Sequence, residues 1–181
     1  MNTPNLITLG RALIVPVVFW LVITRQDAAA FVLFLVAGIS DGIDGYLARR
    51  YNQRTELGAY LDPLADKLLL VSIFIGLGMR GDLPSWLVIA AVARDAMILA
   101  AVIISYMLHR PVEIAPLMVS KLNTVAQITL AAFVLADEAF SINVPLLRTS
   151  LIWLTAALTI ASLLAYLRDW ITHMSHDQHD A

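Results

Sequence analysis

The sequence predicts an all-α fold, a polytopic integral membrane protein with six transmembrane helices, on three observations. First, 60% of its 181 residues are hydrophobic, and the mean hydropathy is +0.78. Second, only 14% are charged, where an ordinary soluble domain carries about 25%. Third, apolar runs near the roughly 20 residues that a spanning helix needs recur six times, separated by short polar or proline-containing breaks.

The elements follow in order. Asn5, Thr8 and Arg11 lead into the first helix, which is expected to end near Ile23. The second is expected from about Ala28 to Arg50, and the third from about Leu57 to Met79. Arg80-Gly81-Asp82 then makes a short turn. The fourth helix is expected from about Pro84 to Leu108, before a break between Pro111 and Pro116. The fifth runs from about Val119 to Ala136 and the sixth from about Pro145 to Leu167. One membrane domain over 1–170 and a polar, disordered cytoplasmic tail over 171–181 are expected, with no internal repeat. The tail holds His173, His176 and His179. Such a tract can bind stray metal, but a solvated tail is the preferred reading.

Lysine and arginine placement sets the expected orientation. Arg11, Arg49, Arg50, Arg54, Arg110, Lys121 and Arg168 fall on one side, and Arg25, Arg80 and Arg148 on the other. Both termini are therefore expected in the cytoplasm. The first residues show neither a secretory leader nor an arginine-rich transit peptide, which points to a bacterial inner membrane. Trp86 and Trp170, at helix ends, read as interfacial anchors. With no cysteine, disulfides and thiolate metal sites are excluded.

The chemistry is concentrated between Ser40 and Lys67, where Asp41, Asp44, Asp62 and Asp66 stand in an oily chain. Charges at membrane depth are costly and mark function. Four carboxylates together need shared protons or bound cations. Asp41 and Asp44 are three residues apart, and Asp62 and Asp66 four apart, so each pair lies on one helix face. Two such helices could present all four to one cavity. All-oxygen ligation suits Mg²⁺ or Mn²⁺. Two ions could clamp a diphosphate. Arg49 is a natural phosphate ligand, and Gly45 and Gly58 leave room for a bulky ligand near the backbone. The competing reading is a buried charge network or a cation or proton carrier.

This stretch resembles the signature of the CDP-alcohol phosphatidyltransferases, D-x2-D-G-x2-A-R-x8-G-x3-D-x3-D, at every fixed position: Asp41, Asp44, Gly45, Ala48, Arg49, Gly58, Asp62 and Asp66. The resemblance implies transfer of a substituted phosphate from a CDP-alcohol to a hydroxyl with release of CMP. The expected donor is CDP-diacylglycerol. It implies that the four aspartates hold two divalent ions and that Asp66 is also the general base. Gly45, Arg49, Gly58 and Thr55 would then hold the CDP part. Pro4-Asn5-x-x-Thr8-x-x-Arg11 matches a family pattern that lies near the nucleotide, so Asn5 and Thr8 join the CDP site; their ordinary reading is a helix start. Thr55 has an ordinary reading as a loop or cap residue. Arg94 and Asp95 read either as a mutually satisfying pair or as a headgroup contact. Lys121 and Asn123 open the fifth helix, where capping and snorkelling compete with contact to an anionic acceptor.

Two branches of the family compete for the acceptor. The phosphatidylglycerophosphate synthases, which use glycerol 3-phosphate, share the N-terminal pattern and the ending Leu61 to Lys67. They usually carry an arginine where Val102 stands, and G-K-x-K-T where this chain has Ser120-Lys121-Leu122-Asn123-Thr124. The eukaryote-type cardiolipin synthases resemble it better, over Asn52 to Lys67, Arg94 to Val102 and Ser120 to Gln127. Their acceptor is phosphatidylglycerol, a diester with one negative charge that needs fewer cations. The resemblance implies lipid partners within a membrane, a possible homodimer, and no nucleic acid.

Overall fold

The computed structural model describes the backbone of residues 3–51, 56–107 and 118–176, and the side chains of 13–40, 67–100 and 118–169. Within these residues all the regular secondary structure is helical. Its elements are α1 (Thr3–Ile23), α2 (Asp27–Tyr51), α3 (Glu56–Arg80), α4 (Ser85–Met107), α5 (Met118–Phe140) and α6 (Pro145–His176). Four of these helices end within a residue of their expected limits, because glycine, proline and polar clusters punctuate the apolar runs, while α5 runs a turn past Ala136 to Phe140. α6 instead continues to His176 rather than stopping near Leu167. No proline or glycine stands between 168 and 176 to end it.

The chain divides into two compact units. Unit 1 comprises 1–83 and 131–144; unit 2 comprises 84–130 and 145–181. In unit 1, α1 packs against both α2 and α3. Val18, Val22, Ile73, Phe74 and Leu77 form the centre of its apolar core, with Val134 and Leu135 from the second half of α5. Gly76 lets α1 and α3 approach closely: a Cβ there would stand 2.8 Å from Val22 Cγ1 and 3.3 Å from Val22 Cβ.

The turns of unit 1 end α1 and α3 by one device. After α1, Arg25 adopts φ 59°. The amide of Gln26 donates to Leu21 O at 2.9 Å and that of Arg25 to Val22 O at 3.1 Å. After α3, Gly81 adopts φ 82°. The amides of Asp82 and Gly81 donate to Leu77 O and Gly78 O at 2.9 and 3.1 Å. Both are Schellman closures, which satisfy carbonyls that a helix end leaves unbonded. The expected turn at Arg80-Gly81-Asp82 is thus observed.

Arg80 was expected as a turn residue and as one of the orientation-setting charges, not as a buried ion-pair centre. Its side chain is 5% exposed and is an ionic hub among the described residues of unit 1. It pairs with Asp27 through both terminal nitrogens. It donates to Val22 O at 2.8 Å, and its Nε lies 2.7 Å from Asp82 Oδ2. Glu138 stands at 4.0 Å. One guanidinium therefore joins the end of α1, the start of α2, the turn after α3 and the last turns of α5. Nearby, Phe31 and Phe140 meet edge to face at 5.9 Å.

In unit 2, α4 packs on α6, with Leu87, Val88, Ala91, Ala126, Leu130 and Ala156 buried. Trp86 and Trp153 lie against one another, ring centroids 5.6 Å apart. Met118–Phe140 and Pro145–Asp169 are, by length and composition, apolar enough to cross a membrane. Shorter apolar stretches occupy Leu13–Ile23 and Asp27–Ser40. Many of the exposed positions of α5 and α6 are themselves apolar, among them Leu122, Val125, Ile128, Leu154, Ile160 and Leu164. Such a surface suits lipid and indicates membrane association.

Candidate active site

α2 and α3 are continuous helices through the whole motif. α2 carries Asp41, Asp44, Gly45 and Arg49, and α3 carries Gly58, Asp62 and Asp66. Helical register therefore puts Asp41 one turn from Asp44, and Asp62 one turn from Asp66. Asp41 lies ten residues before the end of α2, and Asp66 ten residues after the start of α3. Counted along each helix, both stand about 15 Å from the 52–55 connection. α1 carries Asn5 and Thr8 in its first turns, and it is the helix against which both motif helices pack.

The side chains of Asn5, Thr8, Asp41, Asp44, Gly45, Arg49, Gly58, Asp62 and Asp66, and the whole of Thr55, lie outside the described residues. Among the described residues, no three histidines or carboxylates gather to hold a metal. The motif itself offers four carboxylates in two one-turn pairs, a donor set that fits a hard divalent cation.

The three residues expected at the acceptor lie in unit 2, and their environments differ. Lys121 is exposed. Asn123 is 0% exposed and accepts a hydrogen bond from Thr159 Oγ1 at 2.9 Å through its Oδ1. Arg94 is 1% exposed. It donates to Asp95 Oδ1 at 2.5 Å, to Ser120 Oγ at 2.5 Å and to Ser162 Oγ. Its guanidinium carbon sits 5.7 Å from the centre of the Tyr166 ring, within cation–π range. The pairing of Arg94 with Asp95 is present and extends to Ser120 of α5 and Ser162 of α6.

Sequence reasoning missed the partners on α6. Thr155, Thr159, Ser162 and Tyr166 recur at helical spacing and so share a face. The first three are buried. Thr155 and Thr159 also donate back to Ala126 O at 3.5 Å and to Thr155 O at 2.8 Å. On α5, Asn123 and Gln127 are buried and share a face with Ser120. A polar stripe in an apolar helix was the available signal. Two donors in this seam, Arg94 Nε and Asn123 Nδ2, are buried with no hydrogen-bond partner among the described residues.

Residues 1–161 match the family model described as CDP-alcohol phosphatidyltransferase. A CDP-diacylglycerol–glycerol-3-phosphate 3-phosphatidyltransferase of Shigella flexneri is 36% identical over 172 residues, 92% of this chain and 93% of the relative. A chloroplastic CDP-diacylglycerol–glycerol-3-phosphate 3-phosphatidyltransferase 1 of Oryza sativa subsp. japonica is 32% identical over 92% of this chain and 56% of its own length. A cardiolipin synthase (CMP-forming) of Homo sapiens is 32% identical over 90% of this chain and 60% of its own length. The chain thus spans little more than half the length of the rice and human relatives. With the motif intact on two continuous helices and the family match running from residue 1 to 161, the chain belongs to the CDP-alcohol phosphatidyltransferase family.

Proposed function

We propose that this protein transfers a phosphatidyl group from CDP-diacylglycerol to a hydroxyl acceptor and releases CMP, with phosphatidylglycerol as acceptor and cardiolipin as product. The observation that carries the transfer is the family match, which takes in all eight motif positions. The acceptor rests on the stretches Asn52 to Lys67, Arg94 to Val102 and Ser120 to Gln127, and on the absence of an arginine at Val102.

In this reading Asp41, Asp44, Asp62 and Asp66 hold two divalent cations, Mg²⁺ or Mn²⁺; members of the family generally use divalent metals. Bound there, such ions offset the charge of the diphosphate and of the departing CMP. Asp66 takes the proton from the attacking hydroxyl, which must be held within hydrogen-bond reach. Arg49, Gly45, Gly58 and Thr55, with Asn5 and Thr8, bind the CDP part. Lys121, exposed at the start of α5, meets the acceptor phosphate. The six helices span a bacterial inner membrane with both termini in the cytoplasm, the site opens near the cytoplasmic face, and the protein functions as a homodimer.

A second reading has its own support. The Shigella relative, matched over 93% of its length, is named for glycerol 3-phosphate. One assay separates the two. Purified protein in detergent, with Mg²⁺ or Mn²⁺ and CDP-diacylglycerol, is offered phosphatidylglycerol and glycerol 3-phosphate separately. CMP and cardiolipin from phosphatidylglycerol support the first reading. CMP only with glycerol 3-phosphate keeps the chemistry and changes the acceptor. CMP with neither, beside cation flux in liposomes, returns the aspartates to a carrier.

A further inference from the structure

Among the described residues of unit 2, Arg94 is the most deeply buried charge, and nothing about its setting suits a ligand that comes and goes. Its two terminal nitrogens are committed to Asp95, Ser120 and Ser162, and Tyr166 lies over the group. Only Nε lacks a partner, and it too is buried. The contacts run from α4 to the first turns of α5 and to the middle of α6. One turn along the same two helices, Thr159 of α6 holds Asn123 of α5. The start of α5 is thus pinned at Ser120 and at Asn123, and Lys121 stands between the two pins with its side chain exposed.

The geometry points to Arg94 as a positioning residue: through Ser120 and Ser162 it fixes the first turn of α5, and so the place of Lys121, without touching the acceptor itself. This rests on the reading above, in which Lys121 meets the acceptor phosphate. The polar pins matter because apolar packing alone tolerates sliding. A hydrogen bond between a charged donor and a hydroxyl in a dry interior is directional and stronger than a neutral one.

The test has an arm that needs no activity. The chain has no cysteine, so a single cysteine takes a spin label cleanly. Leu122, 54% exposed beside Lys121, is the place for it. The working variants are Ser120→Ala and Ser162→Ala, which leave Arg94 paired with Asp95. Each is expected to sharpen the label's spectrum, as a loosened helix start would. Each should also raise the acceptor KM about tenfold and leave the KM for CDP-diacylglycerol unchanged. Ser120→Thr, which keeps the hydroxyl, should restore both. Adding Ser120→Ala to Lys121→Ala should raise the acceptor KM no further than Lys121→Ala does.

An unchanged label spectrum in both alanine variants overturns the proposal. So does a lower acceptor KM in Ser162→Ala, which would mean that a freed Arg94 contacts the acceptor directly. Multiplied losses in the double variant overturn action through Lys121. If the spectrum sharpens while Lys121→Ala leaves the acceptor KM intact, the lock stands and the acceptor role of Lys121 falls.

Discussion

At the scale of single residues, the proposed chemistry and the observed structure make separate predictions. Asp66→Asn keeps size and removes the base, so transfer should be abolished while CDP-diacylglycerol still binds. A turnover assay beside a binding measurement on the same preparation checks this, and near-normal turnover would refute the role. Val102→Arg restores a cation that the glycerol 3-phosphate branch usually carries. It should move activity toward glycerol 3-phosphate, read as the ratio of kcat/KM for the two acceptors. Arg80→Ala removes the buried guanidinium that pairs with Asp27 and Asp82. Breaking such a pair costs about 3–5 kcal/mol, so a large drop in detergent Tm is expected. Both arginines show what a chain alone conceals. The four aspartates were legible because helical spacing is a local property. Two of the partners of Arg80, Asp27 and Val22, lie 53 and 58 residues away, and Ser162 lies 68 residues from Arg94. Such pairings are made by packing, and no local pattern announces them.

At the scale of elements, helix existence and most limits were readable, because apolar runs and their glycine and proline breaks are themselves local. The end of α6 was not, since polarity alone suggested a tail while the chain carried no helix breaker to start one. The contact of α1 with α3 depends on a missing side chain. Gly76→Ala would press a Cβ against the stiff, buried Val22, at a cost of about 1–3 kcal/mol. Gly38→Ala is the matched control, as a Cβ there meets nothing within 4 Å. Thermal melts of the two variants in one detergent should therefore separate, with Gly76→Ala the lower. Equal melting points would mean that α1 and α3 do not pack through that point.

At the scale of the whole molecule, the apolar outer positions of α5 and α6 indicate a membrane, and the proposed six spans carry a prediction about sidedness. In a chain without native cysteine, a single cysteine at exposed Gln26 should react with an impermeant maleimide added outside intact cells. One at Met118, 71% exposed, should react only after permeabilisation. The opposite pattern would invert the proposed orientation. The tryptophan pair of unit 2 has a use of another kind. Indole rings 5.6 Å apart and inclined by 37° should couple their electronic transitions and give a split near-ultraviolet circular dichroism band. Trp86 belongs to α4 and Trp153 to α6, so the band would vanish on separation of those two helices even while helical content stayed intact. The protein carries its own optical gauge of unit 2, readable without substrate or label.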